Sequence, residues 1–369
     1  MAKKILKYGE LFCGPGGFAL GAIKASKKNK LYTIKHAWAN DIDEWACKTY
    51  AKNICKNIDD ESVVPGDIRD SKQFNIKKQD PIDILAFGFP CNDYSLVGEQ
   101  KGIKGAFGPL YKYGVQALDI HTPDVFVAEN VSGLSSSNDG QAFKNILKDL
   151  IEVGYRLTVN KFRFEQYGIP QRRHRIVIVG LNEKKYDYDY KVPKKKNIKI
   201  TCKMAIENPP IPDDAYNHEL TNHLPHIEER LSHILPGQNV WNAELPDKLK
   251  LNVKKAKLSQ IYRRLDPNEP AYTVTGSGGG GTHIYHYDME QCRALTNRER
   301  ARLQTFPDTY EFAGGKEQVR KQIGMAVPVD GAEIIFTSIL KTLSHKNYYS
   351  IDPSIGYFSS RNIDDIDLL

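Results

Sequence analysis

Cys91 sits in residues 84–95, ILAFGFPCNDYS, where an apolar run ends in a Pro-Cys turn and polar residues begin. A thiol is a soft nucleophile, and the carboxyl end of a predicted strand is the rim where open α/β sheets hold their substrates. Its company makes it informative: a glycine-rich turn lies upstream in LFCGPGGF, an acid follows another apolar run in VFVAENV, and arginines crowd QRRHRIVIVG. The turn places Gly14, Gly16, Gly17 and Gly21 between a predicted strand and a predicted helix, which permits tight turning and close backbone approach to a ligand. Asp41, ending the next strand in WANDID, is placed to accept hydrogen bonds from ribose hydroxyls. Turn and acid together point to an adenosine-bearing cofactor. A dinucleotide is the rival, but no clear nicotinamide site is evident and hydride transfer explains Cys91 poorly.

These residues need a scaffold, and residues 1–184 read as repeated strand and helix units. LKYGELF, YTIKHAWAN, PIDILAFGF, DVFVAEN, YRLTVNKFRF and RIVIVG have strand character, whereas GAIKASKK, DEWACKTYAKNI and QAFKNILKDLIEVG have helical spacing. Apolar strands separated by helices predict a mostly parallel, Rossmann-like α/β sheet covered on both faces. After Gly180 the texture turns to Lys, Asn, Pro and Tyr, and helical pattern returns in TNRERARLQTF and VPVDGAEIIFTSILKTL. The expected organisation is a catalytic and cofactor-binding domain over 1–184, a smaller irregular domain over 185–290, and a segment, 291–369, that returns to the first.

A chain of 369 residues with 40% apolar content can bury a substantial core and exceeds one usual domain. Its net charge of +7 favours nucleic acid only slightly over small substrates, although lysines gather in KVPKKKNIKI and KLKLNVKKAK. Six cysteines without a close CxxC pair predict reduced thiols and no metal site. The basic start lacks an apolar stretch long enough for a signal peptide, and no window approaches a membrane span, so a cytoplasmic protein without a membrane partner is expected.

LFCGPGGF, GFPCNDYS, ENV, QRRHRIVIVG, LTNRERARLQTFPD and QIGMAVPV, in that order from about residue 9 to about 340, resemble the motifs of the cytosine-C5 DNA methyltransferases. The resemblance implies S-adenosylmethionine as cofactor. Phe12 would pack against adenine, with Gly14 and Gly17 approaching the methionine part in a turn that includes Gly16. Asp41 would bind ribose and Ile42 cover an adenine face; Asp67 and Ile68 would meet the adenine edge; Pro90, Leu110, Ala326 and Val327 would line the same pocket. Glu10 stands where the family usually has Asp, a change that keeps charge, and Met325 stands where it usually has Asn. Asn92 replaces the usual Gln, and Phe107 an often-present Arg.

Cytosine C5 is a poor nucleophile toward a sulfonium methyl group, so a covalent bond to C6 must first push electron density toward C5. The resemblance gives that bond to Cys91 and has Glu129 hold or protonate N3, with Asn130 positioning the acid. Arg175 would bind the cytosine O2 and Arg173 support the active-site framework, while Arg172 suits a surface salt bridge. A duplex base must flip out to reach Cys91. Residues 92–109 would close over it, with Ser95, Lys101 and Lys104 contacting the backbone. Residues 185–290 would read the target, Thr273 and Thr275 resembling the family's threonine-containing recognition element.

The implied protein is a site-specific double-stranded DNA methyltransferase of a restriction-modification system, acting as a monomer, with a cognate restriction endonuclease as a possible partner. An RNA cytosine-C5 methyltransferase acting on transfer RNA and a DNA-binding regulator without catalysis are the alternatives.

Overall fold

The computed structural model describes residues 3–89, 110–131, 133, 140–196, 198–252, 258–276, 278 and 280–368. These divide into two compact units. Unit 1 contains residues 1–163, 174–195 and 330–369; unit 2 contains 164–173 and 196–329.

Unit 1 is built on an eight-stranded sheet. Its strands are β1 (Lys4–Leu11), β2 (Tyr32–Asp41), β3 (Val63–Pro65), β4 (Ile84–Phe87), β5 (Val125–Val131), β6 (Tyr155–Arg163), β8 (His174–Asn182) and β12 (Gly356–Phe358); β7 (Gln171–Arg172) lies in unit 2. The order is β12-β6-β8-β5-β4-β1-β2-β3. Pairing is parallel from β3 through β5 and antiparallel for β5-β8, β8-β6 and β6-β12. Chain order runs outward in opposite directions from the β1-β4 junction, the kind of switch point where the carboxyl ends of parallel strands leave a ligand crevice.

Helices α1 (Gly17–Lys28), α2 (Glu44–Tyr50), α3 (Tyr111–His121) and α4 (Gln141–Glu152) follow strands of this sheet. Strand centres such as Ile84-Leu85-Ala86-Phe87 are wholly buried because both faces are covered, hence their continuous rather than alternating apolar pattern. Leu85, Phe87, Phe126, Leu147 and Leu157 belong to one core cluster. Gly114 lets α3 approach the sheet: a Cβ there would stand 2.6 Å from the Phe87 ring.

Unit 2 has little regular structure. Short α5 (Cys202–Glu207), α6 (Pro225–Ser232), α7 (Asn297–Leu303) and α8 (Lys316–Met325) surround a two-residue pairing of β7 with β10 (Ala271–Tyr272). Thr296 and Glu299 form a capping box that starts α7, as the TNRE pattern dictates. Elsewhere buried arginines satisfy loop carbonyls. Arg264 donates to Leu231, His286, Asp288 and Gln291, and Arg298 donates to Tyr216, Pro307 and Tyr310. A small apolar cluster including Leu231, Ile234, Val240 and Tyr285 completes this core.

The last helix, α9 (Val329–Leu343), leads back to unit 1, where a short pairing joins β9 (Val192–Pro193) to β11 (Ser350–Ile351). The chain therefore returns at 330 rather than 291, since α7 and α8 pack within unit 2. The ten residues 164–173 also belong to unit 2, through the β7-β10 pairing. Residues 316–343 are the one helical run, among the described residues, apolar and long enough to cross a membrane; 78% of its most apolar window is buried in the protein, as core helices are.

Candidate active site

At the switch point the β1 strand ends in a left-handed turn: φ is 55° at Phe12, 51° at Gly14 and 88° at Gly16, which caps α1. A Cβ on Gly14 would meet nothing within 4 Å, so the glycine is required by its backbone conformation and faces open space. Asp41, ending β2, accepts the Gly14 N–H at 2.8 Å and the Asp43 N–H at 2.9 Å. A carboxylate is an acceptor, the group that ribose hydroxyls would donate to. Beside it Ile42 is 68% exposed and Trp45 42% exposed, an apolar surface that an adenine ring would cover. Turn, acid and apolar platform together fit a nucleoside-bearing cofactor.

Other expected cofactor residues fall less simply. Ile68 and Leu110 are buried in the unit 1 core. Asp67 is held by the Arg69 guanidinium through both carboxylate oxygens, which lowers its pKa. Ala326 and Val327 are buried within unit 2, and Pro90 lies outside the described residues. Glu10 does not simply keep the charge of the usual Asp. It is 2% exposed and accepts a hydrogen bond from Tyr8 Oη at 2.8 Å. Burial, with a smaller contribution from the nearby Asp41 charge, pushes its pKa up to about 8 against the opposing hydrogen bonds from Tyr8 and Tyr50. Glu10 is therefore mostly neutral at pH 7.

Two strands further along the same rim, Glu129 on β5 and Arg175 on β8 form an ion pair, Nε to Oε1 2.6 Å, with side chains only 12% and 13% exposed. The antiparallel register sets Arg175 opposite Val131, so Glu129 is its diagonal neighbour on the same face. This Oε1 has no aligned hydrogen bond among the described residues. A Cβ on Gly88 would lie 3.6 Å from Glu129 Oε2, so the chain leading toward Cys91 passes directly beside this acid. Asn130 donates to the Phe89 carbonyl at 3.4 Å, and its Oδ1 accepts the Val131 N–H. It thus ties β5 to the segment preceding Cys91 rather than bonding to Glu129. Cys91, Asn92, Ser95, Lys101, Lys104 and Phe107 lie outside the described residues.

Arg173, two residues before Arg175, belongs to unit 2. Its guanidinium donates to the carbonyls of Val274 at 3.2 Å and Gly324 at 3.1 Å, fastening the β10 strand's continuation to the end of α8. Arg172 is half exposed and pairs with Glu269, which also binds Lys199 at 2.6 Å. Thr273 Oγ1 donates to the Arg172 carbonyl at 2.7 Å, so at least this hydroxyl has a structural partner. Gly324, unnoticed in sequence, is demanded by packing: its Cβ would fall 1.9 Å from the Gly276 nitrogen, beside Thr275. The IGMAV pattern around it carries no turn signal, because the requirement comes from the distant Thr275–Gly276 backbone.

His36, Cys55 and Asp60 are the one group among the described residues with metal-ligand proximity, their ligand atoms lying within 4.8 Å of one another. Both His36 nitrogens already face hydroxyls, Tyr50 at 3.1 Å and Ser62 at 2.8 Å. Burial pushes His36 down to about 4 and Cys55 up to about 12.

Residues 6–341 match the C-5 cytosine-specific DNA methylase family. The chain is 56% identical over 355 residues to the type II methyltransferase M.BbvI of Brevibacillus brevis, covering 93% of each chain. It is 38% identical over 354 residues to the type II methyltransferase M.NgoFVII of Neisseria gonorrhoeae, covering 93% of this chain and 88% of that one. Among solved structures, a prophage-encoded DNA modification methyltransferase from E. coli aligns over 92% of this chain and 99% of its own, with a TM-score of 0.68 at 23% identity, a likeness of fold.

Proposed function

This chain belongs to the C-5 cytosine-specific DNA methylase family, and on that footing we propose that the rim carrying Glu129 and Arg175 is its catalytic centre, with Cys91 as nucleophile. The protein is an S-adenosylmethionine-dependent, site-specific DNA cytosine-C5 methyltransferase of the restriction-modification type, with double-stranded DNA as substrate. The observation that supports the catalytic assignment is the 2.6 Å Glu129–Arg175 pair beside Gly88, three residues before Cys91.

S-adenosylmethionine, when bound, supplies an electrophilic methyl group. Phe12, the Gly14–Gly17 turn, Asp41 and Ile42 would hold it, with Asp67, Ile68, Pro90, Leu110, Ala326 and Val327 as further candidates. Cys91 as thiolate attacks C6 of the flipped cytosine and forms a sulfur–carbon bond, while Glu129 holds N3 or, in its protonated form, gives it a proton, so the ring electrons gather at C5 instead of as net charge. Arg175 keeps Glu129 at its place on the rim and offers its remaining N–H groups to the base O2. After C5 is methylated, a base such as water takes the C5 proton. The C–H electron pair re-forms the C5–C6 double bond as the C6–sulfur bond breaks to return Cys91 as thiolate, and N3 returns its proton to Glu129. None of these steps calls for a metal.

Unit 2 would read the target, with Thr273, Thr275, Ser95, Lys101 and Lys104 among the DNA contacts. Arg173 would support recognition from within that unit. A cognate restriction endonuclease, action as a monomer and a cytoplasmic location complete the reading.

The test is methyl transfer from labelled S-adenosylmethionine to unmethylated genomic DNA, with modified bases mapped. Cys91-dependent 5-methylcytosine in one recurring context is expected. Transfer that persists in Cys91→Ala, or that favours transfer RNA in direct competition, overturns the proposal.

A further inference from the structure

Several buried arginines of unit 2 donate to main-chain carbonyls, and Arg300 does not. This residue of α7 is 1% exposed, and both its Nη1 and Nη2 are buried without a hydrogen-bond partner among the described residues. Arg320, on α8, is 8% exposed; its terminal nitrogens bond to Glu317, but its Nε is likewise buried without a partner. Both arginines line one cavity of about 130 Å³, with Lys316, His283 and Thr221.

An uncompensated buried guanidinium is costly, and Arg, unlike Lys, does not readily shed its charge. Burial lowers Arg300 only to about 10, so it remains cationic at neutral pH. His283 stays neutral: burial first, then the charges of Arg300 and Arg320, push it down to about 4. The acids lining the cavity are Glu317, already engaged by Arg320, and Glu219. Three cations against two carboxylates leave the lining positive, and Arg300 Nη1 and Nη2 and Arg320 Nε are buried without partners among the described residues. Lys316 is exposed; one donor reaches the Leu220 carbonyl at 2.7 Å, and an ammonium has three.

We propose that this cavity, bounded by Arg300, Arg320 and Lys316, is a binding site for a single phosphate-class oxyanion. Planar guanidinium forks match the oxygens of such a group. The volume corresponds to roughly four water molecules, which suits one tetrahedral oxyanion and excludes a nucleoside. The same chemistry is offered by inorganic phosphate and by a phosphodiester of bound DNA. The site does not depend on the catalytic assignment of unit 1.

The experiment uses the full chain in chloride buffer free of phosphate and sulfate. Inorganic phosphate is titrated at constant ionic strength, with heat of binding and thermal midpoint as readouts, on wild type, Arg300→Met, Arg320→Gln and Lys316→Gln. If free phosphate is the occupant, wild type shows saturable binding, Lys316→Gln weakens it at least tenfold, and Arg300→Met abolishes it. Arg300→Met should also unfold at a higher temperature than wild type without phosphate, because an unpaired buried charge has been removed. If a DNA phosphodiester is the occupant, free phosphate has no effect, but the slope of log affinity for duplex DNA against log salt becomes shallower by about one in Lys316→Gln. Should Arg300→Met fail to fold, Arg320→Gln and Lys316→Gln decide. Phosphate binding unchanged in every folded variant, or no phosphate effect together with wild-type salt slopes, overturns the proposal.

Discussion

Arg175 and Arg173 stand two residues apart in one motif, yet they serve regions built on opposite principles. In unit 1 the backbone satisfies itself through an eight-stranded sheet, so the side chains at its rim are available for chemistry. Glu129 and Arg175 meet each other there, and Asp41 bridges two N–H groups. Unit 2 has few ladders, and its loops are held because arginines such as Arg264, Arg298, Arg302 and Arg173 act as donors to main-chain carbonyls. In the proposed mechanism the rim guanidinium of unit 1 is a reagent, whereas the buried guanidinium groups of unit 2 are mostly structural ties. The contrast teaches that motif membership does not fix a residue's role; the supply of backbone partners around it does.

The sharpest way to break the contrast is at Glu129. Glu129→Gln keeps the shape but removes the transferable proton, and general acid catalysis contributes about 10²–10⁴-fold. Single-turnover methyl transfer should fall by that factor while cofactor affinity and the thermal midpoint stay near wild type. A variant that loses its fold along with its activity would mean that the rim pair is structural after all.

The next effect is pH-dependent and belongs to the sheet. The pKa of Glu10 is raised from an ordinary 4.5 to about 8 by burial. Between these values the native state binds the proton that the unfolded chain releases. Its contribution is fully present below about pH 4.5 and is lost as pH rises through about 8. Glu10→Gln should therefore flatten the fall in unfolding free energy between pH 5 and 8.5, by an amount on the order of a few kcal/mol. Denaturant unfolding of the two proteins across that range decides it; parallel curves would show that Glu10 does not titrate there.

Much of unit 1 was legible because its signals are local. The strand runs, the glycine turn and Asp41 all appear in sequence at the positions where the structure uses them. Helix α3 was not read, because Gly114 interrupts its pattern; that glycine is required by the Phe87 ring, a contact no window of sequence contains. The β7-β10 pairing is two residues long and joins segments 100 residues apart, so its strands have no pattern of their own. The expectation that Asn130 positions Glu129 is not met by a hydrogen bond between them, because alternation along β5 turns the two residues to opposite faces. The three arginines of QRRHR look alike in sequence, and only tertiary partners separate them.

Arg173 tests the structural side of the contrast. Arg173→Met strands the Val274 and Gly324 carbonyls, and a buried polar group left unsatisfied costs about 1–3 kcal/mol. The expected signature is a lower unfolding midpoint and weaker DNA binding, with cofactor binding by unit 1 retained. Equal loss of both ligands would show that the two units are not separable in energy.

Arg172 should matter least. Its salt bridge to Glu269 is half exposed, Glu269 is shared with Lys199, and exposed pairs contribute roughly 0–1 kcal/mol. The Thr273 hydroxyl bonds to the backbone carbonyl of Arg172, so that tie survives any side-chain change. Arg172→Ala should then unfold within about 1 kcal/mol of wild type and transfer methyl groups at nearly the wild-type rate at physiological salt. A large loss of DNA affinity with a shallower salt slope would instead make this side chain a phosphate contact, and would move the line between structural and functional arginines one residue toward the amino end of the motif.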